Sequence, residues 1–449
     1  MKISIIGTGY VGLVSGACLA EKGHDVTCVD MDMDKVALIN SAIPPIHEPG
    51  LGPLLEKSCG RNLRATRDLR HAVLDSDLSI IAVGTPFDGE EIDLEYIRTA
   101  ARQIGAVLRE KSTYHVVVVK STVVPGTTSD VVLPILEEAS GKTAGCGFGV
   151  GMNPEFLREG EAVRDFLYPD RIVLGGIDDR TLGIMAEIYR PFGGVEVMRT
   201  NTHTAEMIKY TANSLLAAMI SFSNEIGNLC AVIPDVDVTE VMHGVHLDKR
   251  LSPVMQDGTR ITPPFITYLE AGCGFGGSCF PKDVKALVAH GRKLGAGMDL
   301  LASVIRVNTA QPQRMIIMLD THIADLSGVR ITVLGVAFKP GTDDIRESPA
   351  LPVMQALLDR GASVTAFDPV ARGEAEKHFG IGVIRFTDSL DDAVAGSRAV
   401  LLMTRWPEFS RLPELLSGMA KPPVLIDGRR LIPRSAVPCY EGIGVGSAQ

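Results

Sequence analysis

Blocks of apolar and polar positions succeed one another along the chain and predict most of its elements. Lys2 to Ile6 reads as a short apolar strand, a glycine turn follows, Val11 to Lys22 has helical spacing, and Asp25 to Val29 reads as the next strand. Apolar runs at Leu78 to Val83, His115 to Val119 and Phe148 to Met152, with helical segments between them, predict further parallel strands. Thr204 to Val232 keeps helical spacing with no proline before Pro234. It predicts one helix of about 45 Å at 1.5 Å per residue, longer than a single domain requires. A second βαβ unit begins at Val329, with "VRITVLGVAF" as a strand, Glu347 to Arg360 as a helix and "ASVTAFDP" as a strand ending in Asp368. More strands are expected at Ala399 to Met403 and Val424 to Ile426, and residues 443 to 449, small and polar, read as a frayed tail.

Composition narrows the function more than the fold. The 449 residues are 45% hydrophobic and 22% charged, which excludes a disordered chain. With 44 basic against 54 acidic residues the net charge is -10, so no basic surface is expected for nucleic acid or anionic lipid. The eight cysteines show neither CxxC nor zinc spacing, so neither a disulfide framework nor a metal site is expected. Gly7, Gly9 and Gly12 interrupt the first apolar run, which argues against a secretory leader, and no run is long enough to span a membrane. The chain reads as cytoplasmic.

The segment "IIGTGYVG" sets Gly7, Gly9 and Gly12 as GxGxxG between the first strand and the first helix, the arrangement that lets a pyrophosphate approach backbone amides. Asp30, about twenty residues on, would accept from both ribose hydroxyls and repel a 2′-phosphate, which points to NAD rather than NADP. Lys35 lies near that pocket. The second distinctive stretch is "GCGFGGSCFPKD". Its glycines would let the backbone wrap a ligand, and Cys279, opening a helix beside Lys282, is placed where the helix dipole favours a thiolate able to attack an aldehyde. Asp283 would lie one turn along the same face. Lys209 and Asn213, four apart on the long helix, join a cation to an amide donor. On spacing alone, Lys209 would be a snorkelling surface lysine and Glu155 with Glu159 an exposed helix pair.

"GCGFGGSCFPKD", "NPEFLREG", "IKYTANSLLAAMISFSNE" and "FKPGTDDIRES" together resemble, in order and over almost the whole chain, the UDP-glucose/GDP-mannose dehydrogenase family. The resemblance implies an α/β fold of two Rossmann-like doubly wound parallel-sheet domains joined by a long central helix and a helical dimerisation domain. An NAD domain would occupy 1–199, a central domain 200–320 and a nucleotide-sugar domain 321–449, in a homodimer or higher homo-oligomer. It implies a four-electron oxidation of the C6 alcohol of a nucleotide hexose, UDP-glucose before dTDP-glucose or GDP-mannose, through a thiohemiacetal and a thioester on Cys279. Glu155 would be the base for thioester hydrolysis. Lys209, Asn213 and Asp283 would serve the oxyanion and a water at C6, with Thr122 nearby. The cofactor would meet Gly7, Gly9, Tyr10, Val11, Gly12, Asp30, Lys35, Thr85, Pro86, Thr122, Glu159 and Arg346. The substrate would meet Glu155, Phe156, Leu157, Lys209, Asn213, Gly274, Phe275, Gly276, Lys339 and Arg429, with Arg250 inserted from a neighbouring subunit.

Two departures stand out. Met219 occupies a position where the family usually carries Arg or Lys, and the stretch "LSPVMQDGTRITPPF" after Arg250 is longer than usual, so that Arg260 competes for the intersubunit role. A two-electron β-hydroxyacid dehydrogenase shares the Rossmann domain and long helix, but Cys279 and the C-terminal unit argue against it. A catalytically silent nucleotide-sugar sensor would be expected to have lost Cys279, Lys209 or Asp283, and all three are present.

Overall fold

The computed structural model describes residues 1–446, in two compact units that divide after Ala212. The N-terminal unit holds an eight-stranded sheet of β1 (Lys2–Ile6), β2 (Asp25–Val29), β3 (Leu63–Thr66), β4 (Leu78–Ile81), β5 (His115–Val119), β6 (Phe148–Met152), β7 (Arg171–Gly176) and β8 (Glu196–Thr200), in the order β3-β2-β1-β4-β5-β6-β7-β8. The first six strands in sequence run parallel, while β7 meets β6 antiparallel and carries β8 parallel to itself. β4 and β5, apolar apart from Ser79 and His115, are buried along their length because hydrophobic clusters cover both faces of the sheet. β4 stops at Ile81 rather than Val83.

Two buried polar groups close gaps in this unit. The Lys111 ammonium donates to the carbonyls of Val73 (2.8 Å), Leu74 (2.9 Å) and Ser76 (2.5 Å), satisfying orphan acceptors at the end of helix Leu69–Asp75. His115 lies between Ser79 Oγ (2.8 Å) and the Ser76 carbonyl (3.2 Å), and burial pushes its imidazole down to about 3, so it is a neutral structural residue.

The long helix runs Thr202–Cys230, two residues earlier at each end than the spacing suggests. Asn201 Oδ1 accepts from Thr204 N (2.8 Å), and the turn in which Ile233 N donates to the Cys230 carbonyl (3.1 Å) ends the helix.

The C-terminal unit carries a parallel sheet of β9 (Arg330–Leu334), β10 (Ser363–Phe367), β11 (Arg385–Phe386), β12 (Ala399–Leu402), β13 (Val424–Asp427) and β14 (Tyr440–Gly442), ordered β11-β10-β9-β12-β13-β14. The strand expected from Val329 to Phe338 is half that length, because the chain turns at Gly335 into a loop that lasts to Ser348. The helix expected from Glu347 starts at Ala350, since Glu347 has φ +52°. The expected frayed tail is ordered as far as Gly446. Ile443 is buried, Gly444 accepts from Val238 N (2.9 Å), and Gly446 N donates to the Val236 carbonyl (2.8 Å). Residues 447–449 lie outside the described residues. Among the described residues no helix is long and apolar enough to cross a membrane.

Asp368, just past β10, is the anchor of this unit. Its carboxylate accepts from the amides of Val336 (2.7 Å), Ala337 (2.9 Å), Val370 (3.0 Å) and Ala371 (2.9 Å), and from Trp406 Nε1 (3.1 Å). Asp368→Asn keeps one good acceptor but turns an NH₂ toward an amide N–H. It is expected to cost roughly 2–4 kcal/mol. Trp406 is the only tryptophan, so its fluorescence during urea unfolding reports on this unit directly. A midpoint equal to that of the parent protein would show that the five donors do not depend on the charge.

Candidate active site

The glycine turn after β1 has the shape a dinucleotide needs. A Cβ on Gly12 would lie 2.0 Å from the Gly7 carbonyl oxygen, so only glycine lets helix Tyr10–Glu21 pack this closely on the turn. Gly9 is the N-cap, a Cβ there would meet nothing within 4 Å, and no side chain caps the helix. An open helix N-terminus of this kind suits a pyrophosphate. Val11, in the first turn, is half-buried. Asp30 receives Thr8 N (2.8 Å) and Thr8 Oγ1 (2.5 Å) on one oxygen and Asp32 N (3.0 Å) on the other. Burial pushes its carboxyl up, but these hydrogen bonds and the half-buried Lys35 outweigh that and hold it below the usual carboxylate range. Thr85 Oγ1 donates to the Thr122 carbonyl (2.8 Å), and the Pro86 carbonyl accepts from Asp93 N (2.8 Å), so the loops after β4 and β5 are fastened to each other and to the helix beyond.

Just past Thr122, Glu206 of the long helix is fully buried and accepts from Gly126 N (2.7 Å), Thr128 N (2.8 Å) and Thr128 Oγ1 (2.6 Å). Burial raises its carboxyl despite these bonds. Lys209 lies three residues on and is also buried, so it is not the snorkelling surface lysine its spacing suggests. Its ammonium is 2.8 Å from Glu155 Oε1, while Leu157 N donates to Glu155 Oε2 (2.6 Å). Burial pushes the Glu155 carboxyl up, and the Lys209 ammonium outweighs it, holding Glu155 below the ordinary range. The expected exposed helix pair is absent: Glu155 and Glu159 sit in an irregular segment after β6, Glu155 buried and Glu159 half-buried. The Phe156 ring lies under the Arg171 guanidinium (3.9 Å).

Lys120 gave no signal in the sequence beyond its place before Thr122. It is buried in the cleft that Asn153 and Glu155 also line, donates to Asn153 Oδ1 (2.9 Å), and is pushed by burial down to about 8 against the pull of Glu155.

In the C-terminal unit Cys279 is the N-cap of helix Phe280–Lys293, and its carbonyl accepts from Asp283 N (2.8 Å). Asp283 is buried. Its Oδ2 accepts from Asn213 Nδ2 (2.6 Å) and its Oδ1 from Lys282 Nζ (2.7 Å), so Lys282 is engaged by the carboxylate. The glycine-rich loop serves protein packing as well as any ligand. A Cβ on Gly276 would lie 2.2 Å from the Glu347 carbonyl oxygen, and Gly277 N donates to the Arg346 carbonyl (2.8 Å), which brings the Lys339-bearing loop against it. Asn308 clamps Phe275 through its N–H (2.8 Å) and carbonyl (2.9 Å), while Arg429 donates to the carbonyls of Gly274 (2.9 Å) and Met403 (2.7 Å). Asn308, like Glu206, has no local sequence signature.

Lys339 approaches the Phe338 ring (5.9 Å), and exposed Arg346 grips Asp344 through Nε (2.8 Å) and Nη2 (2.7 Å). Arg250 is exposed and pairs with Asp248 (2.5 Å). Arg260 donates to the carbonyls of Leu247 (2.8 Å) and Ser252 (2.9 Å), so it closes its own loop, the longer stretch that follows Arg250. Met219 packs on the core of the C-terminal unit.

The Lys209–Glu155 pair predicts an acid response. Because the folded Glu155 value is depressed, its stabilisation is complete above the ordinary carboxylate value near 4.5 and is lost as pH falls through the folded value below it. Glu155→Gln should therefore lower the urea midpoint at pH 7, by about 3–5 kcal/mol equivalent because the buried Lys209 ammonium loses its carboxylate partner. The gap to the parent protein should narrow below pH 4.5. A gap constant from pH 3 to 7 would show that Glu155 does not hold its charge in the fold.

Comparison with known proteins agrees with this geometry. Residues 1–193 match the NAD binding domain of the UDP-glucose/GDP-mannose dehydrogenase family, residues 203–310 its central domain and residues 332–434 its UDP binding domain. A UDP-glucose 6-dehydrogenase of Haloferax volcanii is 46% identical over 99% of this chain and 100% of its own. A GDP-mannose 6-dehydrogenase of Pseudomonas aeruginosa is 43% identical over 82% of this chain and 81% of its own. The structure of a UDP-glucose dehydrogenase from Pyrobaculum islandicum superposes with a TM-score of 0.89 at 37% identity, covering 99% of this chain and 97% of that one. The chain is thus an NAD-binding member of the UDP-glucose/GDP-mannose dehydrogenase family.

Proposed function

We propose that the chain oxidises the C6 alcohol of UDP-glucose to the carboxylate of UDP-glucuronate in two NAD-dependent steps, with Cys279 holding the sugar covalently between them. The observation that carries this reading is the buried Asp283, one turn from Cys279 and hydrogen-bonded to Asn213 on the helix that also bears Lys209. NAD, when bound, accepts the hydride at each oxidation.

Lys209 and Asn213 would stabilise the C6 oxygen as charge develops on it, and the hydroxyl proton would pass into the Asp283 network. The Cys279 thiolate then adds to the aldehyde carbon, and the resulting alkoxide collapses to a thioester as the second hydride leaves. Glu155, ionised at neutral pH, would take a proton from the water that attacks the thioester, and the thiolate departs. In the same reading Thr122 and Glu159 line the reacting centre and the cofactor, and Arg346 reaches toward the cofactor. Phe156, Leu157 and the loop from Gly274 to Gly276 hold the sugar, and Lys339 with Arg429 holds the nucleotide.

Segments 1–199, 200–320 and 321–449 would be the NAD, central and nucleotide-sugar domains. A homodimer is part of the proposal, because Leu215, Phe222 and Leu229, seven apart on the long helix, are 60%, 55% and 56% exposed, and Arg250 would reach the partner's site. The same chemistry on GDP-mannose is the second reading, supported by the likeness to the Pseudomonas aeruginosa enzyme.

Across a panel of nucleotide hexoses, UDP-glucose is expected to turn over fastest, with two NADH formed per sugar. One NADH with free aldehyde would sink the covalent reading, and faster turnover of GDP-mannose would move the substrate assignment. Cys279→Ser should lose roughly a thousandfold or more in turnover, because an alkoxy ester is a poorer acyl donor, and should leave an adduct visible by mass.

Asp30 sets the cofactor expectation. NAD should be preferred over NADP by roughly a hundredfold or more, since a 2′-phosphate would face a carboxylate. Asp30→Ala should erode that preference, and equal kcat/KM for both cofactors in the parent protein would remove Asp30 from the ribose site.

A further inference from the structure

The segment "IHEPGL" around Glu48 has no role in the reading above. Glu48 is nonetheless buried, at 6% exposure. Its Oε2 accepts from the Tyr10 hydroxyl and from Gly160 N (2.7 Å), and its Oε1 from Val163 N (3.3 Å). Gly160 N also points at the Tyr10 oxygen (2.8 Å), so its N–H is shared between the phenol and the carboxylate. One carboxylate therefore joins three pieces of the N-terminal unit that are far apart in sequence.

The places it joins are specific. Tyr10 is the first residue of the helix whose N-terminus faces the dinucleotide, directly after Gly9. Gly160 directly follows Glu159, and Val163 lies in the first turn of helix Ala162–Leu167. Glu48 itself stands on a firm base. Its carbonyl accepts from Leu51 N (3.2 Å), and Leu51 and Leu55 of the helix that follows share a core with Leu13, Val14 and Ala17 of the first helix. Burying a carboxylate costs more than burying an apolar side chain of the same size, so its contribution lies in directed acceptors that fix where the turn sits.

We propose that Glu48, acting through Tyr10 and Gly160, is a positioning residue for the cofactor: it holds the Glu159 turn in register with the pyrophosphate-binding end of the first helix. The inference rests on the assignment of NAD to this unit and on the placement of Glu159 beside it. The contacts through which it acts are the Tyr10 hydroxyl and the Gly160 amide, so its effect should appear in NAD affinity rather than in the chemistry at Cys279.

The test measures binding without turnover in the full chain. NAD and UDP are titrated by calorimetry into the parent protein, Glu48→Ala, Glu48→Gln and Tyr10→Phe, with thermal midpoints recorded alongside. Loss of the carboxylate takes the acceptor from Val163 N and the Tyr10 hydroxyl and leaves Gly160 N only the phenol oxygen, so Glu48→Ala should weaken NAD about tenfold or more while UDP affinity stays within about twofold. Glu48→Gln should fall between, because its amide oxygen still accepts one N–H. Adding Tyr10→Phe to Glu48→Ala should change NAD affinity little further, as expected when two residues act as one unit.

A lower thermal midpoint with NAD affinity unchanged in Glu48→Ala would assign Glu48 to stability alone and overturn the proposal. If Glu48→Ala fails to fold, unchanged NAD affinity in both Glu48→Gln and Tyr10→Phe overturns it equally. Failure of the nucleotide-sugar reading would look different: the parent protein would bind NAD but not UDP, and the NAD titrations of the variants, with circular dichroism as the folding control, would still decide the role of Glu48.

Discussion

Backbone N–H groups in the loops that leave parallel strands have no partner in the sheet, and in this chain buried and half-buried carboxylates supply the missing acceptors. Asp30 takes the amide of Thr8, Glu206 those of Gly126 and Thr128, Glu155 that of Leu157, Asp368 four, and Asp427 those of Arg429 and Ile432. A buried charge is tolerated only when its lone pairs are filled, and an amide that fills one is held to a narrow direction. The loops that carry the candidate chemistry are therefore fixed by directed acceptors, Glu206 on the long helix and Asp427 in β13 among them, which is how an irregular segment attains the positional accuracy a reaction needs. Of these, Glu155 also has the Lys209 ammonium as a direct partner, and there the charge is balanced rather than only hydrogen-bonded.

The same constraint separates the two sheets. β11-β10-β9-β12-β13-β14 repeats the connectivity of β3-β2-β1-β4-β5-β6, and each has an aspartate just beyond its second strand. Asp30 has three donors and lies half-exposed beside an open helix N-terminus, so it retains lone pairs for a ribose. Asp368 has five donors, one of them the Trp406 indole, and is buried. A carboxylate offers about four acceptor sites, so Asp368 has none left for a cofactor. One fold thus yields a dinucleotide site in one unit, while in the other the equivalent aspartate is spent on its own loop, and under the proposed function Lys339 and Arg429 would do the recognition there.

Periodicity made most of the sheet legible, because strands buried on both faces are short continuous apolar runs, and β1, β2, β5 and β6 lie where the sequence puts them. It failed where backbone conformation overrides side-chain pattern: the apolar stretch Val336–Ala337 continues the run of β9, yet its amides turn onto Asp368. β8 was not anticipated, since it is largely exposed and its polar composition hides it, and β7, a buried run whose apolar core is only Ile172–Leu174 before two glycines, was not anticipated either. Motif spacing singled out Cys279 and Asp283, while Lys209, a surface lysine on spacing alone, was drawn in with Asn213 by the family resemblance. Glu48, Lys120, Glu206 and Asn308 stayed hidden because each works through a partner distant in sequence, and no local window contains both members of such a pair.

The glycine-rich loop illustrates why a motif can be informative for a reason other than the first one that comes to mind. Glycines before a cysteine suggest room for a ligand, but at Gly276 the space a Cβ would fill is taken by the Glu347 backbone, and at Gly277 by the Phe338 ring. Close packing of that kind couples the two loops: Gly277 N is held by the Arg346 carbonyl, and Lys339 lies on the same Phe338-bearing segment. The residues assigned to the nucleotide and the residue assigned to the covalent step are then parts of one packed body within the C-terminal unit. A side chain at either glycine would have to move the Lys339 loop away from the start of the Cys279 helix, so the glycines specify where the Lys339-bearing loop sits relative to Cys279.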